Sequence, residues 1–225
     1  MGIAVILDVL GSMIVGGILL LTLFRMNDSA TRNTYNFSGE LTLQENLVAT
    51  VEVIEYDFRK IGYCEDPLKL PHPEANAILY ADTNRIKFLT DLLVTAYDDP
   101  NPRGDENLDT LEYILNPAYI SGTPNPNDRM LYRVVNGNPT GVNLGITYFR
   151  IRYFRDSSTA SGSTTLAEIL PKDLPKIYTP GSPTGITALQ IDVQVENTAS
   201  YDPGNNPYRQ AFWRQIRLSS RNLKR

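Results

Sequence analysis

The chain is 225 residues long, 42% hydrophobic and 20% charged, enough for one core of ordinary size plus an appendage and inconsistent with disorder over most of its length. Its 21 basic and 25 acidic residues leave a net charge of −4, so its field repels polyanions and disfavours nucleic acid as a partner. A single cysteine, Cys64, and a single histidine, His72, exclude an intrachain disulfide and a Cys-rich zinc site.

The first element is apolar. From Ile3 to Phe24 the only charge is Asp8, and as a helix this run measures about 33 Å, enough for a ~30 Å hydrocarbon core. A cleaved secretory signal fits poorly, because there is no basic leader and no small-residue cleavage site; the myristoylation pattern fails at Ile6. An ionisable group at that depth is costly and calls for a partner or a function. Two readings of Asp8 stay open: it snorkels to the headgroups near the helix start, or it pairs with a cation inside an assembly, where removing both charges from lipid together costs less than removing one. Gly11, Gly16 and Gly17 let neighbouring helices approach closely in lipid. Residues 1–26 are therefore expected to form a transmembrane or filament-core helix.

The polar stretch that follows reads as a neck, and an amphipathic helix is expected over about residues 41–62. Leu47, Val51, Ile54, Phe58 and Ile61 make its apolar stripe, Glu55 and Arg59 an i,i+4 pair, and Gly62 its stop. After Pro67 the pattern changes to period two. Leu189, Ile191, Val193 and Val195 alternate with polar residues, as do Phe149, Ile151 and Tyr153. Further strands are expected at 77–80, 85–89, 110–115, 130–135 and 212–218, with a turn at Asp82, Thr83 and Asn84. The expected fold is α+β: a long N-terminal helix, half membrane or filament core and half amphipathic, on one antiparallel sheet, with residues 27–225 as the globular domain.

The order of these pieces carries a resemblance. Leu43 to Cys64, LQENLVATVEVIEYDFRKIGYC, resembles the helix end of type IV minor pilins and type II secretion pseudopilins of the PilW/PulJ-like family. NRIKFLTDL, an acidic loop, DTLEYIL, MLYRVVNG and ITYFRIRYFRD follow in the family's order, and FWRQIRLSSRN is similar to its closing strand, ending on Arg221 and Asn222. The resemblance implies a pilin-like fold and a structural subunit, a minor pilin or pseudopilin or even a major subunit; no enzyme is expected, because no catalytic constellation stands out. It implies other pilin-like subunits as partners, with residence in the inner membrane and then in a periplasmic or extracellular filament. Family members carry a cleaved basic leader ending in Gly and an acid at the fifth mature position that pairs with a neighbour's terminal amine. Here the candidate processing positions are Gly2 and Ile3: cleavage after Gly2 makes Asp8 sixth, and cleavage after Ile3 makes it fifth.

The loop starting at Asp99 partly imitates a calcium loop, with Asp99, Asn101 and Gly104 at the loop's spacing, but Arg103 replaces a ligand and Thr110 replaces the bidentate Glu. A solvated acidic loop is the default reading; because some members of the family it resembles bind calcium, Asp98, Asp99, Asp105 and Asp109 are the candidate ion ligands beside it. Cys64 reads as a small buried hydrophobe and His72, between prolines, as a surface loop residue. No histidine-nucleophile pair, phosphate loop or paired carboxylates stand out, so no small-molecule substrate is expected. The functional alternative to a filament subunit is a single-pass anchored ectodomain that binds a partner and never polymerises.

Overall fold

A computed structural model of the chain describes residues 2–69, 77–92, 104–123, 125–142, 145–158, 164–174, 185–196 and 211–219. His72, Asp98, Asp99, Arg221 and Asn222 lie outside the described residues. The first element, α1, runs without interruption from Gly2–Arg59. The polar stretch expected to form a neck therefore continues the helix. Within it the hydroxyls of Thr31, Thr34 and Thr42 donate back to the carbonyls of Asn27, Ala30 and Ser38, so these residues bond inside the helix instead of capping or ending it. The chain divides into two compact units, Met1–Thr42 and Leu43–Arg225.

In the first unit no described residue is buried, and its apolar side chains face outward. In the second, Leu43, Leu47, Val51, Ile54 and Phe58 of α1, followed by Ile61, enter the core as the stripe predicts. The helix then unwinds in two short turns: Lys60 N–H donates to Asp57 O at 3.1 Å and Ile61 N–H to Phe58 O at 3.3 Å. Gly62 takes φ +69° and donates its N–H to Leu89 O at 2.8 Å. A side chain would be strained in that left-handed backbone.

Nine strands follow among the described residues: β1 (Ile78–Ala81), β2 (Arg85–Thr90), β3 (Asp109–Tyr119), β4 (Arg129–Val135), β5 (Asn138–Val142), β6 (Ile146–Ser158), β7 (Thr164–Ile169), β8 (Ile186–Glu196) and β9 (Ala211–Leu218). They make two antiparallel sheets rather than the single sheet expected, ordered β1-β2-β3-β4-β5 and β7-β6-β8-β9. The expected strands are present within a few residues; β5 and β7 were not foreseen. β5 is a consequence of Asn136-Gly137, which take φ +48° and +85° between the paired Val135 and Asn138. Two positive-φ residues in a two-residue loop are the tight hairpin that Asn-Gly favours.

The sheets share one core with the end of α1. Phe58 meets Phe88 of β2 and Tyr113 of β3, each at 5.4 Å between ring centroids, and Tyr113 stacks on Phe149 of β6 at 6.5 Å. The aromatic chain thus crosses from helix through the first sheet to the second, in edge and offset geometries that add to area burial. The β1–β2 turn ties the sheets together, with Ile151 N–H donating to Thr83 O at 2.7 Å and the Tyr153 hydroxyl to Asp82 O at 2.9 Å.

Candidate functional site

The first half of α1 carries the expected assembly residues. Its apolar part is long enough and apolar enough to cross a membrane. Gly2 and Ile3 open the helix and are exposed. Asp8 is exposed, and its backbone carbonyl accepts the Ser12 hydroxyl at 2.7 Å. No described residue pairs with its carboxylate. At Gly11, Gly16 and Gly17 an added Cβ would meet open space. Gly16 lies five positions after Gly11, which at ~3.6 residues per turn sets them about 140° apart, so the glycines do not form a single stripe.

Two of the four expected ion ligands are described, and they come together with a third residue that sequence reasoning did not single out. Asp91, Asp105 and Asp109 each offer a carboxylate oxygen within 4.8 Å of the others. All six oxygens accept hydrogen bonds. Asp91 accepts from the backbone N–H groups of Glu65 and Asp105, at 3.1 and 3.0 Å. Asp109 accepts from Leu92 N–H and the Asn136 amide, and Asp105 from the backbone and side-chain N–H groups of Asn107. Those Asn107 bonds hold the Asp105 carboxyl below its ordinary value. Asp91 is fully buried, and a side chain at Gly104 would collide with its carboxylate. The trio is thus a knot of acceptors, and the N–H groups it receives fasten the segments around Glu65, Asp91 and Asp105 to one another. Asp91 interrupts an apolar stretch, between Phe88-Leu89 and Leu92-Leu93, and no periodicity marks it.

A second carboxylate that the stripe concealed is Asp57, 1% exposed. It accepts two bonds from Arg133 of β4, Nε at 2.6 Å and Nη2 at 3.1 Å, and the Tyr113 hydroxyl of β3. That pairing raises the Arg133 guanidinium above its usual value, and burial followed by the Asp57 charge raises Tyr113, which keeps its proton and donates. Leu43, Thr50 and Asp57 recur at heptad spacing on the buried face.

No family model matches the chain, and no curated protein matches it. Among solved structures it is similar to a type IV-like pilin from Thermus thermophilus, at 14% sequence identity and a TM-score of 0.43, with 81% of this chain and 99% of that chain covered.

Proposed function

We propose that this chain is a structural subunit, a minor pilin or pseudopilin, of a type IV pilus-like or secretion filament. It resides in the inner membrane through its N-terminal helix and is then drawn into the filament by that same helix. The observation that carries this reading is the division of one helix into two surfaces. Up to Phe24 its apolar side chains are exposed, and from Leu43 its apolar stripe is buried in the chain's own core. An apolar surface of that extent needs lipid or other helices around it. A single helix that passes from lipid to neighbouring subunits meets the need in both states.

Within this reading Asp8 attracts the terminal amine of a neighbouring subunit. At short range in a low-dielectric surrounding, that attraction offsets part of the desolvation of both groups. Asp8→Asn keeps the shape and removes the charge, so membrane insertion should survive while incorporation into filaments falls. Asp8→Glu should assemble better than Asp8→Asn. The measurement is the amount of each variant in sheared surface filaments, or cross-linked to other pilin-like subunits, in the native host, with the mature N-terminus read by mass spectrometry. Equal incorporation of all three forms removes the pairing role. Recovery of the wild type only as an isolated membrane monomer favours the anchored ectodomain.

A further inference from the structure

Among the described residues, one carboxyl is fully buried with neither oxygen partnered, that of Asp128. It closes a tight turn, residues 125–128, that leads into β4. Asp128 N–H donates to Asn125 O at 3.3 Å and Asn127 N–H to Asn125 Oδ1 at 2.9 Å, so the turn is closed by its own asparagine. Its attachment to the rest of the unit is made of hydrogen bonds. Ile120 N–H donates to Asp128 O at 2.9 Å and the Thr123 hydroxyl to Asn125 O at 3.2 Å. The side-chain amides of Asn125 and Asn127 both donate to one oxygen of Glu196, at the end of β8, at 3.0 and 3.4 Å.

Glu196 therefore acts on the turn in two opposing ways. It is the acceptor that fastens Asn125 and Asn127, and it is the negative charge that acts on Asp128. Its second oxygen accepts from Gln194 at 3.0 Å, so the donors gathered here serve Glu196 and none serves Asp128. Arg129, the next residue in β4, is engaged by Tyr119 of β3: Nη2 donates to the Tyr119 hydroxyl at 3.3 Å and the guanidinium lies 4.9 Å from the ring centroid. Burial holds the Asp128 carboxyl above its ordinary value, and the Glu196 charge adds to the rise.

An ionised carboxylate at this depth needs water or a cation. The Asp128 oxygens have essentially no accessible surface, so neither reaches them while the turn stays in place. A proton needs no such room. The β3–β4 register is irregular between Leu115 and Tyr119, so the pairing beyond that point can part while Leu111 to Leu115 keep theirs. We propose that the turn 125–128 is a proton-operated latch, fastened to Glu196 while Asp128 keeps its proton and released when Asp128 ionises. Release gives the carboxylate water and removes it from Glu196. The closed state binds the proton more tightly than the open one, so release is favoured as pH rises from about 4, by up to about tenfold per pH unit, and levels off above the raised value. The device is independent of whether the chain polymerises.

Hydrogen exchange read by mass spectrometry on the full chain in detergent, between about pH 4 and 8, tests the latch. Protection of peptides covering residues 118–130, corrected for the intrinsic pH dependence of exchange, should fall at least about fivefold across that range in the wild type and stay level in Asp128→Asn. At neutral pH it should also lie at least about tenfold below the protection of β2. A level wild-type profile overturns the proposal without recourse to a variant, because the charge is then met in place. A fall that Asp128→Asn shares overturns it by assigning the titration to another group. Protection equal to that of β2 at every pH overturns it as well, since Asp128 would then reach water only when the whole unit unfolds.

Discussion

Two aspartates on one helix meet opposite fates. Asp57 is buried, held by two bonds from Arg133 and one from Tyr113, while Asp8 is exposed on an apolar surface where no described residue pairs with its carboxylate. The helical backbone is the same at both positions. What differs is what the neighbouring side chains require: around Asp57 the chain closes its own core and supplies the counter-charge, and around Asp8 the core must come from outside the chain. In the function proposed above, the helix is a folding element at one end and an assembly element at the other, with an acid in the apolar surface of each.

The sharpest way to break this comparison is to remove one large apolar side chain from each half. Phe58→Ala leaves a cavity where helix and first sheet meet and should cost roughly 3–5 kcal/mol in denaturant unfolding of the detergent-solubilised chain. Leu20→Ala, in the exposed apolar run, should leave the same transition unmoved. Equal effects would mean that the first half contributes to the chain's own core.

Next in size is the buried pair. Asp57→Ala strands Arg133 and the Tyr113 hydroxyl, and because Arg133 keeps 28% of its side-chain surface in solvent the loss should be about 2–3 kcal/mol, below that of a fully enclosed pair. Replacing the pair together, Asp57→Leu with Arg133→Met, should recover most of it. A double variant as unstable as the single one would show that the pair contributes net stability beyond satisfying its own burial.

A smaller effect, of opposite sign, is expected at Asp128, which is fully buried with both carboxylate oxygens unpartnered. Burial raises its carboxyl above the ordinary value, and the Glu196 charge adds to the rise. The folded state thus holds this proton more tightly than the unfolded one, and the group's contribution to stability falls as pH rises from the ordinary carboxylate range through the raised value. Asp128→Asn should stabilise the chain by roughly 1 kcal/mol at pH 7, with the gain vanishing below about pH 4. A gain that persists at low pH would mean that shape rather than charge is responsible.

The smallest expected effect is that of calcium on the Asp91, Asp105 and Asp109 knot. Each oxygen already accepts an N–H bond, so millimolar calcium against chelator should move the melting temperature by no more than about 1 °C. A shift of many degrees would make the trio a calcium site.

Local pattern was sufficient for the helix stripe, the period-two strands and the turn at Asp82 to Asn84, because each is encoded over a few adjacent residues. The Asn136-Gly137 turn that creates β5 was equally local and was legible without being read. Gly62 ended the helix region as its left-handed tolerance requires. Tertiary structure alone decided the rest. Asp57 and Arg133 stand 76 positions apart, and Asn125 and Glu196 stand 71 apart. The division into two sheets and the approach of Asp91 to Asp105 and Asp109 depend likewise on which segments pair. Hydrophobic period tells each element which face to bury, but it is the same for every candidate partner. Which elements meet, and which charges they bring together, is settled only when all of them compete for one core.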